Sequence, residues 1–519
     1  MVSSPYSSDQ VDSKCAIGSR ISLNDGRGTI AYVGEVAPFK GLWLGIDWDE
    51  PSRGKHDGSY QNIRYFHASH STSGSFVRPS KIQFGCTFME AVREKYSPTQ
   101  SDQFDVIHVS ETKTIEFVGM QKVSTKQRQL ARLQNIILDD SLVGRADEDT
   151  SIIASSLPNV VELHMCRTLM SNWREVERIC NQLSKLVYLN LSVNLFNPLD
   201  VNQIRQPLSG ISSLILTQCQ LEWNDAKNLC VLFPNLSELG LCKNRIASID
   251  AIDFRYLSFL DLESNPIVFL SSIWTVANLK QLETLNLSNT GLTDLELPSE
   301  SVVDGTQPFP ALKTLYLCNN ALKDWRCINE LNKLPSLEHL LVHGNPFLTS
   351  ELSSATARQF VIARMKNLKV LDRETILAQE RKGAEIDYLK FFGRRKKEMD
   401  KNEFAKQHPR FDELCRVYGA PEDWEMKVTQ TGVLKNAILD LNIEVPGRQP
   451  VARKVPGNMT VQKLKALIGR LYSLDVRRMR LAYESPLRPG VIVPLENELR
   501  DLVFYSLESG NRVLVNTTA

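Results

Sequence analysis

Leucine recurs through the middle of the chain in one fixed pattern, Leu-x-x-Leu-x-Leu-x-x-Asn. The complete pattern starts at Leu186, Leu236, Leu257 and Leu312. Variants of it start at Ile211, Leu282 and Leu337, and two weaker copies start at Leu133 and Val160. From Leu186 to Leu337 the starts lie 21 to 30 residues apart, a period that indicates stacked supersecondary units. Each copy therefore predicts one short parallel strand whose leucines point into a core shared with its neighbours.

This pattern is similar to that of leucine-rich repeats, and the resemblance implies an α/β solenoid with a concave sheet. The asparagine that ends each copy is expected to bond backbone groups at the turn. The second-position leucines are predicted core residues: Leu189, Leu214, Leu239, Leu260, Leu285 and Leu315. Side chains beside the leucines are expected to line the concave face and bind a partner there: Tyr188, Asn190, Glu238, Asp261, Glu263 and Tyr316. An ordinary solvated sheet surface is the alternative for any one of them.

The first part of the chain has a different pattern, in which short apolar runs alternate with glycine and aromatic residues. Residues 15–85 carry glycine or proline roughly every 8–12 residues, a spacing typical of short strands joined by tight turns. The run Thr-Ile-Ala-Tyr-Val at 29–33 is one such strand. This part of the chain therefore predicts a small β-barrel.

Four segments of this part follow one another in a specific order. They are Trp-Leu-Gly-Ile-Asp-Trp-Asp at 43–49, Gly-Lys-His-Asp-Gly at 54–58, Tyr-Phe at 65–66 and Gly-Ser-Phe-Val-Arg at 74–78. Together they resemble the CAP-Gly domain. The resemblance implies binding of the acidic C-terminal tail of α-tubulin and of related tails that end in Glu-Glu-Tyr or Glu-Glu-Phe. The site residues that it implies are Trp43, Gly54, Lys55, His56, Asp57, Gly58, Phe76 and Arg78.

The residue types in these segments suit such a ligand. Lys55 can pair with a carboxylate, and Trp43 with Phe76 can form an apolar slot for a terminal aromatic ring. Gly54 and Gly58 are expected to let backbone amides meet the ligand. The alternative interpretation is that the aromatic residues only fill a small core.

Two positions depart from the usual pattern of the CAP-Gly domain. His56 stands where asparagine is usual, which changes a polar contact of the motif. Asn62 stands where glycine is usual, and asparagine tolerates the left-handed backbone conformation better than most residues.

The end of the chain predicts a mixed α+β module. Apolar residues indicate strands at 437–443, 480–485 and 511–515, and a helix at 461–471 that Thr460 can cap. This order is similar to the ubiquitin-like β-grasp fold. A further helix, at 373–392, is expected to cover the end of the repeat core, as in leucine-rich repeat proteins.

These patterns divide the chain of 519 residues into six segments. A length of this size suits several domains. We predict an N-terminal tail at 1–14, a CAP-Gly domain at 15–90, a linker at 91–125, leucine-rich repeats at 126–375, a helical cap and linker at 376–435, and a ubiquitin-like domain at 436–519.

Composition narrows the classes of function. The 61 Lys and Arg side chains nearly balance 60 Asp and Glu, which argues against nucleic acid as a partner, since tracking phosphates needs a clustered basic surplus. No membrane span is predicted, because no window has 18 uncharged apolar residues. The ten cysteines form no C-x-x-C pair, and without a signal sequence they indicate reduced thiols in the cytoplasm. No metal or cofactor is predicted, and the missing phosphate-loop and hydrolase motifs argue against an enzyme.

The three modules in this order resemble the family of tubulin-folding cofactors, with signatures at 54–58 and 418–425. The resemblance implies a chaperone that captures α-tubulin, meets the β-tubulin complex of cofactor D and, with cofactor C, assembles or dissociates the αβ-tubulin heterodimer. Cofactor B is a further implied partner, and the implied location is the cytoplasm with its cytoskeleton. Two alternatives remain: an adaptor that links a client to the proteasome through the ubiquitin-like domain, and an adaptor of microtubule ends.

Overall fold

The computed structural model describes most of the chain. The described residues are 15–97, 107–110, 113–115, 130–250, 253–267, 276–296, 308–349, 354–422, 438–486, 490, 492–502, 504–505 and 507–517. The chain divides into two compact units, one of Met1–Ile267 with Ser272–Asn286 and the other of Val268–Ser271 with Leu287–Ala519. The predicted tail, most of the linker predicted at 91–125, and residues 423–435 of the predicted helical cap and linker lie outside the described residues. Within the described ranges, no helix has an apolar stretch that could cross a membrane.

The first module, residues 15–87, is built on an antiparallel sheet. Its strands are β1 (Arg20–Leu23), β2 (Gly26–Val36), β3 (Phe39–Trp48), β4 (Ser59–Tyr60), β5 (Ile63–Arg64), β6 (Gly74–Val77) and β7 (Gln83–Phe84). Five of them form the sheet in the order β6-β3-β2-β1-β7, around buried side chains such as Ile21, Ile30 and Leu44. Strands β4 and β5 form a hairpin. In its turn Gln61 and Asn62 have φ angles of 48° and 64°, so Asn62 does adopt the left-handed conformation.

A helix, α1 (Phe88–Tyr96), follows the first module where we predicted the start of a linker. Residues 91–96, at the start of the predicted linker, are therefore helical. The reason is an apolar spacing of four residues that continues through Val92 and Tyr96, both of which are buried. The Tyr96 hydroxyl also accepts a hydrogen bond from the backbone N–H of Ile137 at 2.9 Å, so the helix packs on the first repeat.

The repeats of the first unit form parallel strands joined by short helices or turns. The further strands of this unit are β8 (Cys86–Thr87), β9 (Ile107–Ser110), β10 (Lys113–Ile115), β11 (Asn135–Ile137), β12 (Val143–Arg145), β13 (Glu162–His164), β14 (Tyr188–Asn190), β15 (Ser213–Ile215), β16 (Glu238–Gly240), β17 (Phe259–Asp261) and β18 (Thr284–Asn286). Its further helices are α2 (Ile152–Ser156), α3 (Trp173–Cys180) and α4 (Trp223–Leu232). From β13 to β18 each strand pairs with the next, and the predicted core leucines of this unit lie in register and are buried.

Two more contacts fix the first module to these repeats. Strand β8 pairs in parallel with β12. The buried guanidinium of Arg27 donates to the hydroxyl of Ser22 at 2.6 Å and to the backbone carbonyl of Asp140 at 2.7 Å. With helix α1, these contacts hold the first module and the repeats together within the first unit.

The asparagine that ends a repeat is buried and ties adjacent repeats together. Asn244 accepts hydrogen bonds through Oδ1 from the backbone N–H groups of Cys219 at 2.9 Å and Leu221 at 3.1 Å. Its Nδ2 donates to the carbonyls of Leu216 at 2.8 Å and Leu241 at 2.9 Å. The amides of Asn194, Asn265, Asn320 and Asn345 likewise donate to carbonyls of two successive repeats. The polar residue is therefore at a buried position because backbone groups there need a partner.

The second unit begins with three parallel strands and then becomes helical. Its first strands are β19 (Thr314–Tyr316), β20 (His339–Leu341), β21 (Val370–Leu371) and β22 (Glu374–Thr375), and its helices are α5 (Arg326–Leu331), α6 (Ser354–Arg364), α7 (Ala378–Glu398), α8 (Lys401–Gln407) and α9 (Phe411–Tyr418). We predicted a helix at 373–392, but α7 starts five residues later and ends at Glu398. Asp372 and Arg373 have positive φ angles and turn the chain so that β22 pairs antiparallel with β21.

The C-terminal module, residues 438–517, combines one mixed sheet with one long helix. Its elements are β23 (Ile438–Glu444), β24 (Val451–Pro456), α10 (Val461–Tyr472), β25 (Met479–Glu484), β26 (Ile492–Pro494) and β27 (Arg512–Thr517). The strands run in the order β24-β23-β27-β25-β26, and the apolar face of α10 packs into their core. The helix and three strands lie where we predicted them. Strands β24 and β26 are additional, and β24 is mostly exposed, so its sequence does not alternate.

A buried ion pair attaches the C-terminal module to helix α7. Asp387 and Arg500 are 3% and 5% exposed, and the Asp387 Oδ2 accepts a hydrogen bond from the Arg500 Nε at 3.0 Å. The same oxygen accepts from the Asn497 amide at 2.5 Å, and Arg500 Nη1 donates to the hydroxyl of Thr356 at 2.8 Å. Burial raises the pKa of the Asp387 carboxyl, and Arg500 opposes that rise. Because both charges are out of water, each depends on the other.

We expect Asn244→Ala to destabilise the repeats strongly. It leaves four buried backbone groups without their partner, and an unsatisfied buried group costs about 1–3 kcal/mol, so the loss should be at least ~2 kcal/mol. The free energy of unfolding from urea denaturation of the full chain measures it. Asn235→Ala is the matched control, because Asn235 is exposed and its side chain makes one hydrogen bond within the described structure, to the Ser209 carbonyl. Equal effects of the two substitutions would contradict the role of the buried amides.

The ion pair of Asp387 and Arg500 should show strong coupling in a double-mutant cycle. Either Asp387→Asn or Arg500→Gln leaves a buried partner uncompensated, which costs about 3–5 kcal/mol. The double variant should lose less than the sum of the two, by at least ~1 kcal/mol. Unfolding of the full-length variants by urea gives all four free energies. Additive losses would mean that the two side chains act independently.

Candidate functional site

A cavity of about 580 Å³ opens in the first module and collects half of the predicted tail-binding residues. Its lining includes Trp43, Lys55, His56 and Phe76. The other four predicted residues, Gly54, Asp57, Gly58 and Arg78, lie beside the cavity without lining it. Strand β3 carries Trp43, strand β6 carries Phe76, and the loop between β3 and β4 carries the Gly-Lys-His-Asp-Gly segment.

The walls of the cavity are aromatic. The ring of Phe39 lies 6.0 Å from that of Trp43 and 6.0 Å from that of Tyr60, and Phe39 is 48% exposed. The Nε1 of Trp43 is buried and has no hydrogen-bond partner among the described residues. The cavity can therefore surround an aromatic ring. Sequence reasoning did not include Phe39 and Tyr60 in the site. Their positions next to the turns that border the motif could have indicated them.

Lys55 supplies an unpaired positive charge at the edge of this cavity. Its side chain is exposed, and within the described part of the chain no carboxylate pairs with it. Its backbone N–H donates to the carbonyl of Gly74 at 2.7 Å, which fixes the position of the residue. The main chain of Lys55 is thus fixed at the cavity, and its charged side chain remains available to a ligand.

Arg78 contacts the aromatic wall of the cavity from outside its lining. Its guanidinium lies 3.8 Å from the ring centroid of Trp43. It also donates to the backbone carbonyls of Leu42 and Lys40, both at 2.9 Å. Arg78 therefore covers the Trp43 ring, and two of its N–H groups are bonded to the backbone of strand β3.

His56 lies between the loop and the aromatic wall as a neutral ring. Its Nδ1 accepts a hydrogen bond from the N–H of Gly58 at 3.1 Å, and its ring stacks on Phe76 with a centroid distance of 4.8 Å. Burial lowers the pKa of His56 below its usual value, so the ring adds no positive charge at neutral pH. Asparagine can present an acceptor oxygen to the same N–H, which explains how histidine can stand where asparagine is usual.

Gly54 and Gly58 lie where another segment of the backbone passes too close for a side chain. A Cβ on Gly54 would lie 2.3 Å from the backbone of Ser73, and one on Gly58 would lie 2.1 Å from the carbonyl oxygen of Phe66. Gly58 also has a φ of +96°, which other residues rarely adopt. These glycines are therefore required by the fold of the loop, and their expected role in letting backbone amides meet the ligand stays a prediction.

Asp57 also stabilises the loop. Its carboxylate accepts a hydrogen bond from the Arg64 guanidinium at 2.6 Å and another from the Ser59 N–H at 3.1 Å. These bonds lower the pKa of Asp57 to about 2, so the group is ionised throughout the neutral range. An acid that is already bonded to Arg64 repels an acidic ligand less than a free one.

The predicted concave-face residues divide between the two units. Tyr188, Asn190, Glu238 and Asp261 lie on strands β14, β16 and β17 of the first unit and Glu263 follows β17, whereas Tyr316 lies on β19 of the second. Of these only Glu238 is exposed, and the others are half-buried. Each alternates with a buried leucine, so its side chain lies on the opposite face of the strand.

One cluster among the described residues has donor atoms close enough to hold a metal ion. The ligand atoms of Cys242, Asp261 and Glu263 all lie within 4.8 Å of one another. Burial and the two acids raise the pKa of the Cys242 thiol to about 11, so a proton competes with any metal at neutral pH. The arrangement offers three ligands with an unfavourable thiol, and no metal is assigned to it.

Comparison with known proteins adds relatives that match almost the whole chain. A family model described as the CAP-Gly domain matches residues 17–82. The tubulin-specific chaperone E of Homo sapiens is 37% identical over 517 residues, 96% of this chain and 98% of that protein, and the Mus musculus protein of the same name is 38% identical with the same coverage. The solution structure of the C-terminal ubiquitin-like domain of mouse tubulin-specific chaperone e is 38% identical, covers 18% of this chain and 96% of its own, and has a TM-score of 0.16.

His56→Asn should leave the site intact, whereas His56→Ala should weaken it. Asparagine preserves an acceptor for the Gly58 N–H, and alanine removes both this acceptor and the ring that stacks on Phe76. Calorimetric titration with a peptide ending in Glu-Glu-Tyr, the ligand that the motif implies, should give affinity within about twofold for the first variant and a loss of about fivefold or more for the second. Because the ring is already neutral, the affinity should not rise between pH 8 and pH 7. A rise that disappears in His56→Asn would refute this assignment.

Proposed function

The chain belongs to the tubulin-specific chaperone E family, and on this basis we propose that it binds α-tubulin and, with other tubulin-folding cofactors, assembles or dissociates the αβ-tubulin heterodimer. Cofactors D and C are the proposed partners in that reaction, with cofactor B as a further partner, and the cytoplasm is its proposed location. The observation that carries the proposal is the aromatic cavity of the CAP-Gly domain with the unpaired charge of Lys55 at its edge.

The cavity has the size and chemistry for the last residues of an acidic tail. A volume of about 580 Å³ falls within the range of sites that enclose a small ligand. A terminal aromatic ring would lie among Phe39, Trp43 and Phe76, and a carboxylate would pair with Lys55. The buried Nε1 of Trp43 would donate to a carbonyl or carboxylate oxygen of the tail, which would satisfy a donor that has no partner in the described structure.

The acid preference arises from this local arrangement, because the chain as a whole is nearly neutral, with a net charge of +1. An exposed ion pair in water contributes little and is screened by salt. The ring in the cavity would therefore supply most of the binding free energy, while the lysine would favour tails that carry acids next to the ring.

We infer a second contact between tubulin and the concave strands. In the first unit Glu238, Asp261 and Glu263 form an acidic row beside Tyr188 and Asn190. Helix α1 and the Arg27 contact hold the CAP-Gly domain on the same unit as these strands. Two weak sites at a fixed separation act together through effective concentration, so a client held by its flexible tail would be presented to the concave face. Tyr316, on the second unit, is proposed to contribute separately.

Lys55→Gln and Trp43→Ala should both weaken binding of a Glu-Glu-Tyr peptide to the full-length protein. Loss of one exposed charge should cost about two- to fivefold in Kd, and loss of the aromatic wall more than about tenfold. Lys81→Gln is the matched control, because Lys81 is an exposed lysine of the same domain outside the cavity. Calorimetric titration measures the affinities, and a control that weakens binding as much as Lys55→Gln would refute the site.

Size-exclusion chromatography with purified αβ-tubulin then tests the function itself. We expect the wild-type chain to co-elute with α-tubulin and the intact dimer to decrease, and the Trp43→Ala chain to do both less well. Co-elution with proteasomes that depends on residues 436–519, without any effect on tubulin, would favour the adaptor alternative. Binding to microtubules alone would favour an adaptor of microtubule ends.

A further inference from the structure

A second cavity, of about 540 Å³, lies among the helices of the second unit. Its walls include four aromatic side chains, Trp325, Phe360, Phe391 and Phe392. Arginines line it as well, together with a histidine from the end of helix α8. None of these residues belongs to the CAP-Gly site, and the tubulin proposal does not use them.

Arg364 is a buried cation at this cavity without an acidic partner. It is 4% exposed, and its guanidinium contacts no carboxylate in the described structure. Its Nη1 donates to the side-chain oxygen of Asn329 at 2.8 Å and to the carbonyl of Gln407 at 2.7 Å. Three aromatic rings lie within 5.3 to 5.6 Å of the guanidinium carbon, and its Nε has no partner. A buried charge usually has a counter-charge, and here the described chain supplies none.

His408 provides an unused hydrogen-bond donor at the same cavity. Its Nδ1 lies 2.7 Å from the hydroxyl of Tyr388 and 3.5 Å from Nη2 of Arg364. Arginine can only donate, so Nδ1 is the acceptor and the proton of the neutral ring is assigned to Nε2. That Nε2 is buried, in a residue that is 3% exposed, and has no partner within the described ranges. Burial, Arg364 and Arg395 lower the pKa of His408 to about 3, so the ring is neutral at physiological pH.

Arg395 supplies a further positive charge where the cavity meets solvent. It is exposed, lies 6.0 Å over the ring of Phe391, and pairs with no acid in the part of the chain that the structure describes. The acids of the lining are already engaged. Asp324 forms an ion pair with Arg326 at 2.8 Å, and Glu403 accepts from the amide of Gln407 at 2.9 Å. No carboxylate in the described structure pairs directly with Arg364 or Arg395, and the three arginines and two acids of the lining leave a net charge of +1.

We propose that this cavity binds an oxyanion carried on an aromatic or other apolar group, such as an acidic side chain beside an apolar one in a peptide. The anion would lie between Arg364, Arg395 and the Nε2–H of His408, and the apolar group would pack on the aromatic walls. Such a ligand would supply both the counter-charge and the acceptor that the described chain lacks. A carboxylate and a phosphate monoester share this chemistry, and they differ in charge and size.

The competing interpretation is purely structural. Arg364 joins helix α6 to the end of helix α8 through the Gln407 carbonyl, and the surrounding rings stabilise its charge. In that case an anion would gain nothing from the cavity, and the Nε2–H of His408 would remain without a partner. The two interpretations differ in what small aromatic anions do to the histidine ring.

Nuclear magnetic resonance of the full-length chain labelled with ¹⁵N in histidine tests the proposal. The probes are benzoate, phenyl phosphate and the uncharged benzyl alcohol, and His408→Gln assigns the signal. We expect benzoate or phenyl phosphate, but not benzyl alcohol, to shift the Nε2–H signal of His408. Tighter binding of benzoate would indicate a carboxylate ligand, and tighter binding of phenyl phosphate would indicate a phosphorylated one.

A pair of exposed arginines provides the matched variants. Arg395→Gln should weaken anion binding about two- to fivefold with an unchanged melting temperature, because Arg395 is on the surface. Arg394→Gln should leave the affinity unchanged, because Arg394 pairs with Glu398 at 2.8 Å and does not line the cavity. Equal effects of the two variants, an unresponsive His408 signal, or equal binding of benzyl alcohol would overturn the proposal.

Discussion

The repeats depend on buried side-chain amides that satisfy backbone groups where water cannot reach. Each strand ends in a turn whose N–H and carbonyl groups lie inside the stack, and a buried backbone group without a partner costs free energy. An asparagine side chain has both an acceptor and a donor, so one residue serves both kinds of group. The Oδ1 of Asn244 serves the preceding repeat, while its Nδ2 serves carbonyls of both. Each such asparagine therefore stabilises its own repeat and the repeat before it.

This direction explains where the chain can use another residue at the same position. Cys219 and Thr290 occupy asparagine positions, yet their N–H groups are still bonded, because Asn244 and Asn320 of the following repeats provide the acceptors. The Thr290 hydroxyl also donates to the same Asn320 oxygen at 3.0 Å. A substitution is tolerated when the next repeat keeps its amide, so repeats with an imperfect pattern depend on neighbours with a complete one.

The sequence predicted the parts of the fold that follow from local periodicity. Leucine spacing located the repeat strands, and apolar residues three and four positions apart located helix α10. It did not give the contacts between distant residues that decide the conformation. The role of Gly54 depends on the Ser73 backbone, and that of Arg78 on the Trp43 ring, and neither contact follows from the motif alone. The motif included all four of the predicted residues that line the cavity, namely Trp43, Lys55, His56 and Phe76. It did not distinguish these lining residues from the neighbours that support the cavity.

Net charge is a poor guide to function in this chain, because cations of the described structure differ in how far the fold already uses them. Arg500 is paired with Asp387, and Arg78 is bonded to backbone carbonyls and covers Trp43. A cation that is already bonded within the fold offers little to a ligand. Lys55 and Arg395 differ from them, since each lies beside an aromatic cavity without an acidic partner in the described structure. Binding specificity in a nearly neutral protein is thus expected where the internal pairing of charges is incomplete.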